Sequence, residues 1–427
     1  MLNNLENMPS NNWKYKPLNE VASRIMEKNG ERTNNVLTIS AQHGLVSQIE
    51  YFNKSVASKN LSGYYYLTKG DFAYNKSYSE GYPFGAIKQL EKYDHGVVST
   101  LYICFRLNSA LVDSRFYKQY FGSGLWNSEV RNIAQEGGRS HGLLNVGVKE
   151  FFEILVPVPS LEEQQKIASI LSSVDEAIEK TEAIIEQTEK VKNGLMQQLL
   201  QKGIGHTKFK GTEIGEIPEE WEIRALGTIG SWSGGGTPSK KEPSYWSKEK
   251  QVIWVSPKDM YSNIITSSED FITEKGLREK KLKLLPKGTI LFVTRSGILR
   301  KRVPIAVAGD SLTINQDLKA LQVASNIDYE FIFYALLALN DSIRTSCVKT
   351  GTTVESIDFQ SLQEVLIPVP PLSEQREIVK IIGIHYKKLE NEKSYLKHLH
   401  SLKKGLMQSL LTGKVRVKVE EAEVTQV

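Results

Sequence analysis

Arg300-Lys-Arg302 places three cations side by side before Val303 and Pro304. Charges so crowded need an anionic partner or open water. Other stretches mix basic, aromatic and amide side chains, the groups that contact phosphates and the edges of bases. In the first half of the chain these are Tyr74, Asn75, Lys76, Ser77 and Tyr78, then Lys88, then Arg139 and His141. In the second half they are Gly235, Gly236, Thr237 and Ser239, then Lys258, Arg295 and Ser296, Asn315 and Gln316, and Thr352 and Thr353. An arginine fork matches O6 and N7 of guanine, whereas asparagine and glutamine match adenine. The glycines at 234–236 allow backbone amides to approach a phosphate. Any one of these stretches also has the composition of an ordinary solvated turn, so their number argues more than any single one.

Reaction chemistry is harder to find. The chain has no phosphate-binding Gly-x-x-x-x-Gly-Lys-Ser/Thr loop, no Gly-x-Gly-x-x-Gly, no Asn-Pro-Pro-Tyr stretch of amino methyltransferases and no nuclease carboxylate constellation. The 7 histidines form no metal-ligand spacing. Cys104 and Cys347 are the only cysteines, which excludes a disulfide framework or a cysteine zinc site and fits a reducing cytoplasm. No apolar run approaches the ~18 residues of a membrane span, and the first residues lack the pattern of a signal peptide. The formal charge of +5 is spread unevenly: residues 1–153 carry 17 Lys/Arg against 14 Asp/Glu, and residues 154–214 carry 7 against 9. Binding of a polyanion must therefore come from folded patches.

The elements that position these groups are written twice. Residues 155–167, Leu-Val-Pro-Val-Pro-Ser-Leu-Glu-Glu-Gln-Gln-Lys-Ile, return at 366–378 with 8 identities in 13, and residues 192–200 return at 403–411 with 7 in 9. Both pairs share an offset of 211. Unrelated residues match at roughly one position in fifteen, so the chain is an internal duplication. After each Pro-Val-Pro, apolar residues alternate spacings of four and three. The first series is Ile167, Leu171, Val174, Ile178, Thr181, Ile185, Thr188, Lys192, Leu195 and Leu199; the second is Ile378, Ile382, His385, Leu389, Glu392, Leu396, Leu399, Lys403, Leu406 and Leu410. Each is a heptad seam on a helix of some 40 residues, about 60 Å long. Ser160 and Glu163 have capping-box spacing at the first helix start.

Outside the helices lie two globular segments. Residues 36–40, 63–67, 71–74 and 97–107 read as strands and 114–132 as helical. Trp13 and Leu18 are echoed by Trp221 and Leu226, and Lys69-Gly70 by Lys287-Gly288. The expected division is a frayed N-terminus (1–12), a globule (13–153), a repeated region with a long helix (154–205), a polar linker (206–220), a second globule (221–364), the second repeated region (365–413) and a charged tail (414–427). The fold class is mixed α/β, with two antiparallel helices as a coiled-coil spacer in a pseudo-twofold repeat. Long connections through a globule permit that antiparallel pair, with the globules at opposite ends.

A globule, then Pro-Val-Pro-x-Leu-x-Glu-Gln, then a long helix closing on Gly-Leu-Met-Gln, all repeated, resembles the specificity subunit of type I restriction–modification systems. The resemblance spans essentially the whole chain, with Gly-Gly-Thr-Pro at 235–238 also familiar. It implies that residues 13–153 and 221–364 are target recognition domains, each reading one half of a split, asymmetric site on double-stranded DNA. It implies no active site or cofactor on this chain. Two modification subunits would carry S-adenosylmethionine and flip the target base, and motor-endonuclease restriction subunits would complete the complex. Their docking surfaces would be the repeated stretches: Glu163, Gln164, Gly194, Leu195, Met196 and Gln197, with Glu374, Gln375, Gly405, Leu406, Met407 and Gln408. The competing expectation is a coiled-coil adaptor that joins proteins and never touches DNA.

Overall fold

The computed structural model describes residues 13–40, 43–52, 60–78, 81–134, 144–351 and 354–418. The chain divides into two compact units, Met1–Ala183 with Ser394–Val427, and Ile184–Lys393. Each contains one globule, the start of the long helix that follows it, and the end of the other long helix. Both helices run unbroken, Leu161–Lys202 and Leu372–Leu410.

Within each unit the helix segments run antiparallel. In the first, Lys403 Nζ lies 2.5 Å from Asp175, and Leu410 and Leu411 share a core with Ile167, Ala168 and Leu171. In the second, Lys393 meets Glu189 at 2.6 Å and the Tyr386 hydroxyl donates to Met196 Sδ at 3.6 Å. All twenty seam positions are buried or half-buried, including the polar Thr181, Thr188, His385 and Glu392. Polar seam residues weaken such a pairing and fix its register.

The first globule is built on an antiparallel sheet ordered Ala22–Arg24, Ile103–Leu107, Phe72–Asn75, Ala86–Gln89. Phe72 and Phe105 stack on it at 5.4 Å and pack against Phe121 of helix Ser114–Gly122. Two pairs, Leu37–Ser40 with Gly44–Ser47 and Tyr65–Thr68 with His95–Val98, complete it. The single strand expected over 97–107 is two, separated by a turn in which the Tyr102 amide donates to the Ser99 carbonyl. The expected helix over 114–132 is also two pieces, Ser114–Gly122 and Asn127–Ile133, with Gly124 between them at φ +77°. The linker at 206–220 is ordered as a hairpin, Phe209–Thr212 with Gly215–Pro218, turning at Gly215 with φ +101°.

The second globule has two mixed sheets. One runs Gly230–Gly234, Leu318–Val323, Ile290–Val293, Ile305–Ala308, Ile264–Ile265; the other runs Trp246–Ser247, Asp270–Ile272, Val252–Val255, Leu312–Ile314. The Lys-Gly echo is a shared turn into equivalent strands, Gly70 and Gly288 standing at φ +98° and +86°. Only glycine adopts such angles without strain.

Each globule is locked to its helix by the same groups. A short antiparallel pair forms first: Lys14–Pro17 against Leu155–Val158, and Glu222–Ala225 against Leu366–Val369. Then the Gln164 side chain donates to the Pro159 carbonyl at 2.9 Å and accepts from the Asp113 amide at 2.8 Å. Gln375 repeats this with the Pro370 carbonyl at 2.7 Å and the Asp328 amide at 2.8 Å. Asp113 and Asp328 each cap a helix of their globule. The neighbouring glutamates take an indole N–H: Trp13 Nε1 donates to Glu163 at 3.1 Å, and Trp221 Nε1 to Glu374 at 2.9 Å. Arg416 completes the first lock through two bonds of 2.6 and 2.9 Å; His206, at 2.8 Å, and the Ile204 amide, at 3.0 Å, complete the second. The capping box is therefore half present. Ser160 Oγ accepts from the Glu163 amide at 3.2 Å, but the glutamate turns away to Trp13.

Removing the amide of Gln375 orphans a buried carbonyl and a half-buried N–H, at about 1–3 kcal/mol for a fully buried group. Gln375→Ala is expected to destabilise the second unit by about 2 kcal/mol or more on that count. Gln164→Ala does the same to the first. Hydrogen exchange read by mass spectrometry should show faster exchange confined to the unit carrying the change; uniform loosening of both units would contradict independent locks.

Candidate nucleic-acid interface

The second globule gathers most of its candidate residues on one rim, because several strands end there. Gly234 pairs with Lys319, Val293 with Leu318, and Val255 with Ile314. The stretches 235–239, 256–259, 294–302 and 315–317 therefore emerge side by side. Backbone bonds tie them: Gly236 N–H to Ile314 at 2.9 Å, Asn315 N–H to Val255 at 2.9 Å, Arg295 N–H to Asp317 at 3.2 Å and Ser296 N–H to Glu355 at 3.2 Å.

On this rim Arg295, Lys301 and Arg302 are exposed, and among the described residues their side chains make no ion pair. Arg300 differs. Its Nε donates to Glu355, which is only 5% exposed, so the first of the three cations has an internal anion. The guanidinium in turn holds the Glu355 carboxyl below its ordinary pKa. Lys258 is also paired, to Glu269 at 2.7 Å and Asp270 at 3.0 Å, which raise its pKa. Its charge is thus largely neutralised on site. Thr237 Oγ1 donates to Gln316 Oε1 at 2.5 Å, and Gln316 donates to Asp317 at 3.3 Å.

Several expectations need correction. Asn315 is 5% exposed and its amide donates to Asp317 at 3.1 Å, so it shapes the turn from inside. Gly235 is required by packing: a Cβ there would lie 1.9 Å from the Ile314 carbonyl oxygen. The Gly236 amide already donates to that same carbonyl, which leaves it no hydrogen for a phosphate. Ser296 Oγ accepts from the Ile298 amide at 3.4 Å and caps a short turn, and Ser239 Oγ accepts from Lys241 at 3.3 Å. Thr352 and Thr353 lie outside the described residues.

In the first globule, Tyr74 is a core residue. It is fully buried, stacked on Phe151 at 5.0 Å, with its hydroxyl donating to the Phe84 carbonyl at 2.9 Å. Burial pushes its phenol far above the ordinary range. Asn75 Oδ1 accepts from the Ser77 amide at 3.1 Å, Lys76 is half-buried, and Tyr78 is 63% exposed. Lys88 donates to the Tyr82 hydroxyl at 3.2 Å and lies over its ring. Arg139 and His141 lie outside the described residues, although Leu144, the first described residue after them, donates its amide to the Lys76 carbonyl at 3.0 Å.

The docking expectations divide. Glu163, Gln164 and Gln375 are at most 2% exposed, and the Glu374 side chain 13%, all engaged in the locks. They serve this chain's own fold and offer little to a partner. Met196 is buried, and Leu195, Leu406 and Met407 pack half-buried against the cores. Gly194, Gln197, Gly405 and Gln408 remain exposed, and a Cβ at either glycine would meet nothing within 4 Å.

Among the described residues no group of three His, Cys, Asp or Glu could hold a metal ion, and no helix is long and apolar enough to cross a membrane.

Known proteins share this arrangement. The specificity subunit of the Escherichia coli EcoR124I/EcoR124II enzyme is 34% identical over 235 residues, 55% of this chain and 56% of the relative. That of the Methanocaldococcus jannaschii MjaIX enzyme is 34% identical over 44% of this chain and 43% of the relative. The chain thus spans about half the length of these curated relatives. The solved S subunit from M. genitalium superposes with a TM-score of 0.56 at 16% identity, over 96% of this chain and 97% of that one, a likeness of fold. A sequence model of the type I restriction modification DNA specificity domain matches residues 10–190 and again 218–399, once per repeat. With both repeats matched over most of the length, the chain belongs to the type I restriction–modification DNA specificity family.

Proposed function

We propose that this chain reads DNA sequence for a type I restriction–modification complex and catalyses nothing itself. Residues 13–153 and 221–364 each read one half of a split site on double-stranded DNA. The observation that carries the reading is the rim of the second globule, where Arg295, Lys301 and Arg302 stand exposed, without an internal anion among the described residues, beside an oriented Arg300. Exposed cations supply the sequence-independent grip on phosphate, and oriented side chains read base edges. In the first globule the corresponding candidates are Lys76, Ser77, Tyr78 and Lys88, with Arg139 and His141. Two modification subunits, carrying S-adenosylmethionine, dock where Gly194, Gln197, Gly405 and Gln408 stay exposed at equivalent positions of the two helices; motor-endonuclease subunits join that assembly. Such a complex works in the cytoplasm, on the host's own DNA.

The chain, assembled with its modification subunit, is expected to bind DNA with an affinity that falls steeply with salt. Each phosphate contact contributes a slope of about −0.9 in log K against log salt. Replacing Lys301 and Arg302 by alanine should flatten the slope by about 2 if each holds one phosphate. Lys258→Ala, with its charge already taken by two carboxylates, should change it far less. Equal slopes for wild type and the double variant, measured by fluorescence titration, would remove these cations from the interface.

The helices set the distance between half-sites. Seven residues inserted after Ala183 and seven after Lys393 preserve both heptad registers and add ~10.5 Å of helix. That corresponds to about three base pairs at a rise of ~3.4 Å. Methylation-motif sequencing should then show two unchanged half-sites with a spacer longer by about that amount; an unchanged spacer would refute the ruler.

A further inference from the structure

One side chain on the second globule's rim is both fixed in direction and still rich in free donors. Arg300 ends the short turn Gly297–Arg300, which is anchored on either side. Leu299 is fully buried in the core, and Val303 exchanges two bonds with Asn340, at 3.2 and 2.7 Å. From this base the Arg300 side chain extends outward, 66% exposed, and among the described residues only its Nε is engaged, by Glu355. The glutamate is held in turn, since its own carbonyl accepts from the Ser296 amide at 3.2 Å. A guanidinium has five N–H donors in one plane. With Nε–H clamped, the plane is set, and the four hydrogens on the two Nη atoms have no acceptor among the described residues.

The neighbours lack one property or the other. Lys301, Arg302 and Arg295 are exposed, but among the described residues no side-chain contact orients them. Lys258 is oriented and saturated by carboxylates. Gln316 has its oxygen and its nitrogen engaged inside the chain, and Asn315 is buried. We infer that Arg300 is the specificity-determining residue of residues 221–364, reading O6 and N7 of one guanine, with Glu355 as its positioning residue. This rests on the proposal that the second globule reads DNA. Paired Nη donors match the two acceptors of guanine in the major groove, and an arginine held by a carboxylate meets them with less loss of side-chain freedom.

The test uses the full chain assembled with its modification subunits. Methylation-motif sequencing first gives the wild-type site, and each guanine in it is then replaced in turn by 7-deazaguanine, which lacks N7. Wild type should lose about 5- to 100-fold in affinity at one guanine, in the half-site read by residues 221–364, as expected for one bidentate contact. Arg300→Lys keeps the charge and loses the fork, so 7-deazaguanine at that position should cost it nothing further, and its methylation motif should relax there alone. Glu355→Ala should weaken discrimination at the same guanine while leaving the salt slope unchanged, and Glu355→Gln, which keeps an acceptor oxygen, should restore part of it. A merely structural Glu355 would lower binding to all sequences alike. Arg300→Lys with wild-type discrimination at every position overturns the inference and makes Arg300 a phosphate contact, as does a half-site without a sensitive guanine. If the wild-type complex shows no sequence preference at all, DNA reading itself fails. That outcome is distinct from a discriminating wild type matched by a discriminating Arg300→Lys.

Discussion

The join between globule and helix in each unit centres on a buried glutamine at the head of a long helix. Gln164 and Gln375 bridge a carbonyl of their own Pro-Val-Pro stretch and the capping residue of a globule helix some fifty residues away in sequence. An amide donates from its nitrogen and accepts at its oxygen, so it satisfies two backbone groups without bringing a charge inside. The adjacent glutamate is met by an indole N–H and a second partner, Arg416 in the first unit and His206 in the second. Each globule is thus joined to the head of its own helix by these bonds.

The two units share these locks and diverge at their rims. The second rim holds cations in two states, some paired internally and some open. Pairing lowers the net field while fixing geometry; openness keeps the attraction for phosphate and leaves direction to the ligand. A modest overall charge is compatible with DNA binding on these terms, because only a few unpaired cations in the right place are needed.

The duplication, the two helices and their seams were legible in the sequence, because a heptad repeat is a local signal with a fixed period. The Glu-Gln repeat was equally visible, yet its meaning was not. Repetition marks a residue as used twice, and only burial tells whether it faces a partner or its own core. Tyr74 carried a readable clue, since it alternates with Phe72 along one strand and so shares the inward face. Asn315 gave none beyond its place in an Asn-Gln-Asp turn. The pairing of Arg300 with Glu355 spans 55 residues, and no periodicity reports a contact between two loops at that separation. The broken helix at Gly124 and the hairpin at Gly215 were legible in principle, each marked by a glycine that the apolar pattern passed over.

The first lock is closed by Arg416, which stands after the second long helix and reaches Glu163 at the head of the first. The earliest and the latest described parts of the chain therefore meet on one carboxylate. An exchange of residues 13–153 for a foreign segment leaves Glu163, Gln164 and Arg416 in place, waiting for an indole and a capped helix start. A replacement globule must then supply an indole, a capped helix start and a strand that pairs with Leu155–Val158. A change at Arg416 would therefore be felt where the first globule meets its helix, across the 253 residues that separate Arg416 from Glu163.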